Sequence, residues 1–497
     1  MLADWRRVGR QPGVIPVVPV AAESSKRLLP WLVAVAFFME QLDTTILNTA
    51  VPTIAAALRV APLSMKAVLS SYTLAVAVFI PLSGWVADRF GTRRVFASAI
   101  GLFTLGSILC GISRDVHVLV ACRILQGSGG AMMVPVGRLT LVRTFDKSEL
   151  VRAMSFVAIP SLIGPMLGPV VGGFFVAFLH WRWVFFVNVP MGLIGLYMVD
   201  RHLPDYREPV ARLDVLGVVL FGSGIALLSY VLEVFGEHTL SPVAVVGLLV
   251  VSVVLLVMYG IHASRSTHPL VYLGLFRIRT FRSAVVGSLI TRLAVSGMPF
   301  LLPLLYQIGL GYTPLQSGLL ISPQSLAAIV LKVAMPRILT FFGYRQVLLL
   351  NTIAIGCVIA LFATIGLGAP WWLIVAYGAL FGFFSSLQFT SMNTLVYADV
   401  AQDQTSQAST IASTVQQMSM SFGVATASLV AAFFVPDRHH ATPAQLIAGI
   451  HEAFLVLGAV TVLSVVVFLE LRPTDGENIS RHGDGEPGRL PVAAENA

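Results

Sequence analysis

Phe37-Phe-Met-Glu-Gln-Leu-Asp-Thr-Thr-Ile-Leu-Asn-Thr-Ala-Val-Pro52 sets two carboxylates, Glu40 and Asp43, inside a run otherwise apolar enough to cross a bilayer. A charge at the centre of a membrane helix costs at least about 2.5–3.5 kcal/mol, so an acid there faces a cavity or a partner and marks function by default. The surroundings of this stretch decide the fold. Of the 497 residues, 56% are hydrophobic and 11% charged, against roughly 25% charged in soluble domains. Apolar runs of about 20 residues recur from Leu29 to Leu471, the length a helix needs to span lipid. They are unbroken rather than alternating, which selects helices over a barrel. The chain is therefore expected to be all-α, an integral membrane bundle.

Fourteen such runs are expected, the first over residues 30–53 and the last over 449–471. An even number puts both termini on one side. With the tails and alternate loops inside, 25 of the 32 Lys and Arg residues fall on the cytoplasmic side. Arg59, Lys66, Arg114, Arg182 and Arg438 fall outside, and Arg123 and Arg292 within spans, an asymmetry that a shifted count would scramble. The expected organisation is a cytoplasmic tail (1–28), a six-helix bundle (29–205), two extra transmembrane helices (206–265), a second six-helix bundle (266–471) and a cytoplasmic tail (472–497). Laying Ala87–Val95 over Leu339–Val347 matches Gly91 with Gly343 and Arg93 with Arg345, a faint internal repeat of the kind from which transporters build a midplane site.

The net charge of +8 is spread thinly between spans, so it reports topology rather than a nucleic-acid face. Cys110, Cys122 and Cys357 lie within apolar runs and lack metal-ligand spacing, so they read as small core residues. There is no phosphate-binding Gly-x-x-x-x-Gly-Lys-Ser/Thr loop and no catalytic triad pattern. No cofactor and no metal is expected, and work done by this chain must draw on an ion gradient; protons suit its titratable acids.

After the second run, Gly84-Trp-Val-Ala-Asp-Arg-Phe-Gly-Thr-Arg-Arg94 supplies glycines for a tight reversal, and Asp88 with Arg89 can act as a conformational latch between rocking halves. Gly91, Arg93 and Arg94 belong to the same loop. In the fifth run Gly164, Gly168 and Gly172 share one helical face, with Pro165, Pro169 and Gly173 on the adjoining row, a pattern for close helix approach and bending. Arg123 and Asp43, counted along their spans, reach similar depths and can meet. Approach and withdrawal of the guanidinium would then switch Asp43 between proton release and capture. Glu40 lies one turn from Asp43, and two neighbouring acids rarely ionise together, so the pair could carry a proton or a cation. Arg292 could pair with Glu40 or meet an anionic substrate group. Glu40, Thr44, Arg292, Gln388, Asn393, Gln416 and Gln417 are candidate cavity residues.

These motifs resemble those of the major facilitator superfamily, and in particular its fourteen-span drug:proton antiporter branch of the EmrB/QacA type. The loop at Gly84–Arg94 is similar to the family signature, and Leu42–Pro52 to the branch's first-span motif. Arg123-Ile-Leu-Gln-Gly-Ser-Gly-Gly-Ala131, Gly164–Gly173 and Trp181–Pro190 resemble its motifs in spans four, five and six. The likeness covers nearly all of residues 30–471 and is nearest to bacterial multidrug-resistance members. It implies two six-helix bundles, exchange rather than import, and a part for Arg123 in proton coupling. The expected activity is export of amphiphilic drugs or toxic compounds against protons by a monomer in the bacterial inner membrane. A dedicated exporter of one metabolite is the alternative within transport, and a membrane sensor without flux is a third reading.

Overall fold

The computed structural model describes residues 23–145, 147–208, 212–234, 241–266, 269–401, 404–434 and 442–477, which form helices joined by short turns, with no strand among them. In order these are α1 (Glu23–Leu58), α2 (Pro62–Phe90), α3 (Thr92–Ile112), α4 (Val116–Thr144), α5 (Lys147–Phe178), α6 (Trp183–His202), α7 (Val215–Val234), α8 (Pro242–Arg265) and α9 (Arg279–Gly309). The stretch Pro314–Leu361 follows and is broken at Gly343 into α10 and α11; α12 (Trp371–Leu395), α13 (Thr405–Phe434) and α14 (Pro443–Leu463) complete the chain. We call the end of the bundle where α1 begins the near end and the opposite one the far end.

Eleven helical stretches among the described residues are long and apolar enough to cross a membrane, so the chain is a multi-pass membrane protein. This is fewer than the fourteen expected, for physical reasons. Glu40, Gln41 and Asp43 dilute the hydropathy of α1, and in α5 the described apolar stretch is the shorter Leu162–Phe178. The α10 and α11 arms run together as one stretch across Gly343. The helical start at Glu23 also lies before residue 30, where the first span was expected to begin; the earlier part of the N-terminal tail, and residues 478–497 of the other, lie outside the described residues.

Four of the far-end helix starts carry side-chain caps that satisfy otherwise orphaned N–H groups. Asp115 caps α4, Ser241 caps α8, and Thr313 and Thr442 form reciprocal capping boxes with Gln316 and Gln445. At the near end the matched glycines of the internal repeat do matching work: Gly91 (φ +96, ψ 139) and Gly343 (φ +71, ψ 160) take a backbone conformation that side chains disfavour. Each reverses the chain between consecutive helices.

Three buried cores show how the two halves sit together. At the far end one core is shared, drawing Ile46, Val51 and Leu63 from the first half and Leu301, Phe362 and Phe454 from the second. Toward the near end there are two, one confined to residues 29–203 and one to residues 220–471. The bundles are thus joined at the far end and part toward the near end. Helix α7 lies against α2 and α13, and α8 against α7, where Ser252 Oγ donates to the Gly224 carbonyl at 2.8 Å. Most of α8 faces outward as exposed valine and leucine, as a lipid-facing helix should.

Candidate functional site

Helix α1 is held where it is by α5. A Cβ on Gly168 would overlap Thr45 Oγ1, and one on Gly172 would overlap the Ile46 carbonyl, so only glycine allows this approach. Thr49 Oγ1 donates to the Pro169 carbonyl at 3.2 Å across the seam. The other face of α5 meets the second bundle: a Cβ on Gly173 would lie 2.5 Å from the Pro314 carbonyl. Pro169 has no N–H to give to the Pro165 carbonyl one turn earlier. Ser325 of α10 donates to that carbonyl instead, at 3.1 Å. Proline thus creates the acceptor that binds the halves, and Gly164–Gly173 lies between α1 and α10.

Asp43 and Arg123 meet. Arg123 Nη1 donates to Asp43 Oδ2 at 2.5 Å, and both side chains are 1% exposed. Gln126 Nε2 and Asn188 Nδ2 donate to Asp43 Oδ1 at 2.8 and 2.9 Å, so three donors converge on one carboxylate. Gln126 Oε1 in turn accepts from Arg123 Nη1 at 2.9 Å, closing a ring of three residues. Asn188 also donates to Ser107 Oγ at 3.1 Å, and Ser107 to the Phe185 carbonyl at 2.8 Å. The Arg123 guanidinium lies 4.4 Å from the centre of the Tyr72 ring. Glycines of α4 make room for this: a Cβ on Gly127 would lie 2.6 Å from the Tyr72 carbonyl, and one on Gly130 would overlap the Tyr72 hydroxyl.

Glu40 is 8% exposed, one turn toward the near end, with no hydrogen bond among the described residues. Asp43 and Arg138 are the charges that act on it, and the Arg138 guanidinium lies 5.5 Å from the Phe37 ring centre. Thr44 is partly exposed and bonds back to the Gln41 carbonyl. Of the two partners left open for Arg292, Glu40 is not paired with it in this structure.

The near-end loop is engaged within the first bundle. Asp88 pairs with Arg143 of α4 at 2.8 Å, and the same guanidinium nitrogen reaches Glu208 at 2.8 Å. Arg143, which the sequence reading did not single out, is the partner of Asp88 in this structure, and Arg89 and Arg94 are exposed. Arg93 binds Asp200 and, through its backbone N–H, Asp205, which packs over Gly91. Gly84 is exposed, with open space where a Cβ would stand.

In the second bundle Arg292 is 5% exposed, donates to Ser288 Oγ at 2.9 Å and lies 3.8 Å from the Phe389 ring centre. Asn393 is exposed and, with Ser288, lines a hollow between α9, α12 and α13. Gln416 and Gln417 are partly exposed. Gln388 was expected to line a cavity and does not: it is fully buried, accepting from Asn351 and donating to Thr352, both at 2.8 Å. Its amide is used up in joining α11 to α12.

Sequence reasoning did not single out Gln126, Asn188, Ser107, Arg138 or Arg143. Gln126 and Asn188 stand inside quoted motifs, as buried amides in apolar spans that must find partners, and that was the available signal.

With this geometry in view, the chain matches the Major Facilitator Superfamily over residues 33–424 and 284–494. It is 41% identical over 410 residues to MdtD of Shigella flexneri and of Escherichia coli O157:H7, proteins named for multidrug resistance, covering 82% of this chain and 87% of each relative. Among solved structures it is similar to a POT family transporter in complex with 5-aminolevulinic acid (TM-score 0.67, 14% identity, 91% of this chain and 97% of that one). It is also similar to the nucleoside transporter NupG (TM-score 0.63, 14% identity, 89% and 99%). At such identities these structures speak for the fold alone.

Proposed function

The chain belongs to the Major Facilitator Superfamily, and on that premise we propose that it is a proton-coupled exporter of amphiphilic compounds, working by alternating access in a bacterial inner membrane with both termini cytoplasmic. It is a transporter rather than an enzyme, and its relatives named for multidrug resistance favour foreign amphiphiles as cargo. Counting α1 and α5 as spans, and α10 and α11 separately, supports fourteen crossings: six in each bundle, with α7 and α8 between them.

The observation that carries this reading is the closed, buried network on Asp43, a titratable group at the heart of a helix gripped by both α5 and α4. With the near end cytoplasmic, the bundles part toward the cytoplasm and the far-end core seals the outside. For Asp43 to take up a proton, Arg123 or one of the two amides must let go of it. Those donors come from α4 and α6 while Asp43 rides on α1, so helix movement and proton exchange are mechanically linked. Glu40, nearer the opening, offers a second acid for a proton or a cationic group. Asp88 is held by Arg143 in this state, and its release to the second bundle would accompany closure of the near end.

Proteoliposomes carrying the purified chain and a panel of amphiphilic dyes test the reading. Dye movement should follow an imposed pH gradient and stop when a protonophore collapses it. Movement indifferent to the gradient, or none for any dye, would remove proton-coupled export.

A further inference from the structure

A buried cation without a counter-charge is costly, because desolvation is repaid only by a well-placed partner. Arg292 is such a cation. Among the described residues from α9 to residue 477, every acid stands away from it: Glu452 is exposed on α14, Asp399 follows α12, and Glu470, Asp475 and Glu477 lie beyond α14, the first two binding Arg282 and Arg279. Among the described residues its interactions are one Nε hydrogen bond to Ser288 and the face of Phe389, which leaves the two terminal nitrogens of the fork without a hydrogen bond there. That fork is the part of an arginine that matches a carboxylate with two parallel bonds.

Its position suits cargo. Gln307 of α9 donates to the Thr49 carbonyl of α1 at 2.9 Å, fixing one level shared by both helices. At about 1.5 Å per residue, Arg292 stands roughly 22 Å from that level and Glu40 roughly 13 Å, both on the near-end side of the shared core. Ser288, which orients the guanidinium, lines a hollow together with the exposed Asn393. We propose that Arg292 is the anchor for a carboxylate on the transported amphiphile, which makes the cargo class one with an anionic group rather than purely cationic compounds. Phe389 and Ser288 hold the guanidinium flat and oriented, so the cargo carboxylate replaces a missing protein acid. The proposal rests on the export reading for the word cargo, while the binding itself is tested without transport.

The test is binding to purified protein in detergent, followed by fluorescence anisotropy, using a xanthene dye with a free carboxylate and its methyl ester. The parent should bind the acid at least about tenfold more tightly than the ester, the order of one charge-assisted bidentate contact. Arg292→Gln should weaken acid binding at least about tenfold more than ester binding and so erase that preference, and Arg292→Lys should keep part of it. Equal affinities in the parent, or an equal loss for both dyes in Arg292→Gln, would overturn the proposal. Preferential binding without gradient-driven flux would instead count against the export reading and leave the anchor standing.

Discussion

Asp43 and Arg123 have each given up water for the other, and a buried pair of this kind is far more sensitive to losing one partner than to losing both. Arg123→Ala leaves three-way donation to Asp43 broken and a charge stranded, which should cost about 3–5 kcal/mol in a reversible unfolding measurement. The pair replaced together, Asp43→Asn with Arg123→Gln, should recover a large part of that loss; a double variant as unstable as Arg123→Ala would contradict the pairing as the source. A second ion pair predicts pH dependence. Burial acts to raise the pKa of Asp475, but the Arg279 fork at 2.5 and 3.1 Å and the Arg472 backbone N–H outweigh it and hold the carboxyl below the usual carboxylate range. Because the folded value is the lower one, this contribution is complete above the ordinary carboxylate range and disappears as pH falls through the folded value. Thermal stability should therefore fall on acidification in the parent and fall less in Asp475→Asn, and parallel curves would argue against it.

At the level of helices, α5 is the part whose sequence and packing agree most closely. Gly168→Leu puts a side chain where Thr45 stands and must displace α1, carrying Asp43 away from Gln126 and Asn188. Overpacking of this sort costs typically about 1–3 kcal/mol, and dye transport should be lost even where the protein still folds; full activity in Gly168→Leu would show that α1 has slack. The same helix shows what a sequence can disclose. Glycines at a spacing of four announce a face for close approach, and depth counting was enough to bring Asp43 opposite Arg123. Reading could flag Asn188 as an amide in need of a partner but could not supply that partner, nor Ser107, because their bonds depend on how α6 and α3 rotate, and rotation is set by packing rather than by local pattern. Gln388 failed for the same reason: its type suits a cavity, but α11 offers Asn351 and Thr352 first. The internal repeat, by contrast, was legible through Gly91 and Gly343 because a positive φ leaves its mark in residue choice.

Across the whole molecule, one shared core at the far end and two separate cores at the near end define which side is closed. Ser428 Oγ donates to the Leu63 carbonyl at 2.9 Å within that far-end seam. A Leu63→Cys, Ser428→Cys pair should cross-link on oxidation and arrest transport, with reduction restoring it; unimpaired transport by the oxidised pair would mean that the seam need not open. The central claim is that Asp43 is where proton movement and bundle movement meet. It is tested most directly in proteoliposomes by comparing, for Asp43→Asn, dye accumulation driven by a pH gradient with dye exchange at equal pH on both sides. We expect driven accumulation to be lost while exchange persists; driven accumulation undiminished in Asp43→Asn would contradict the claim.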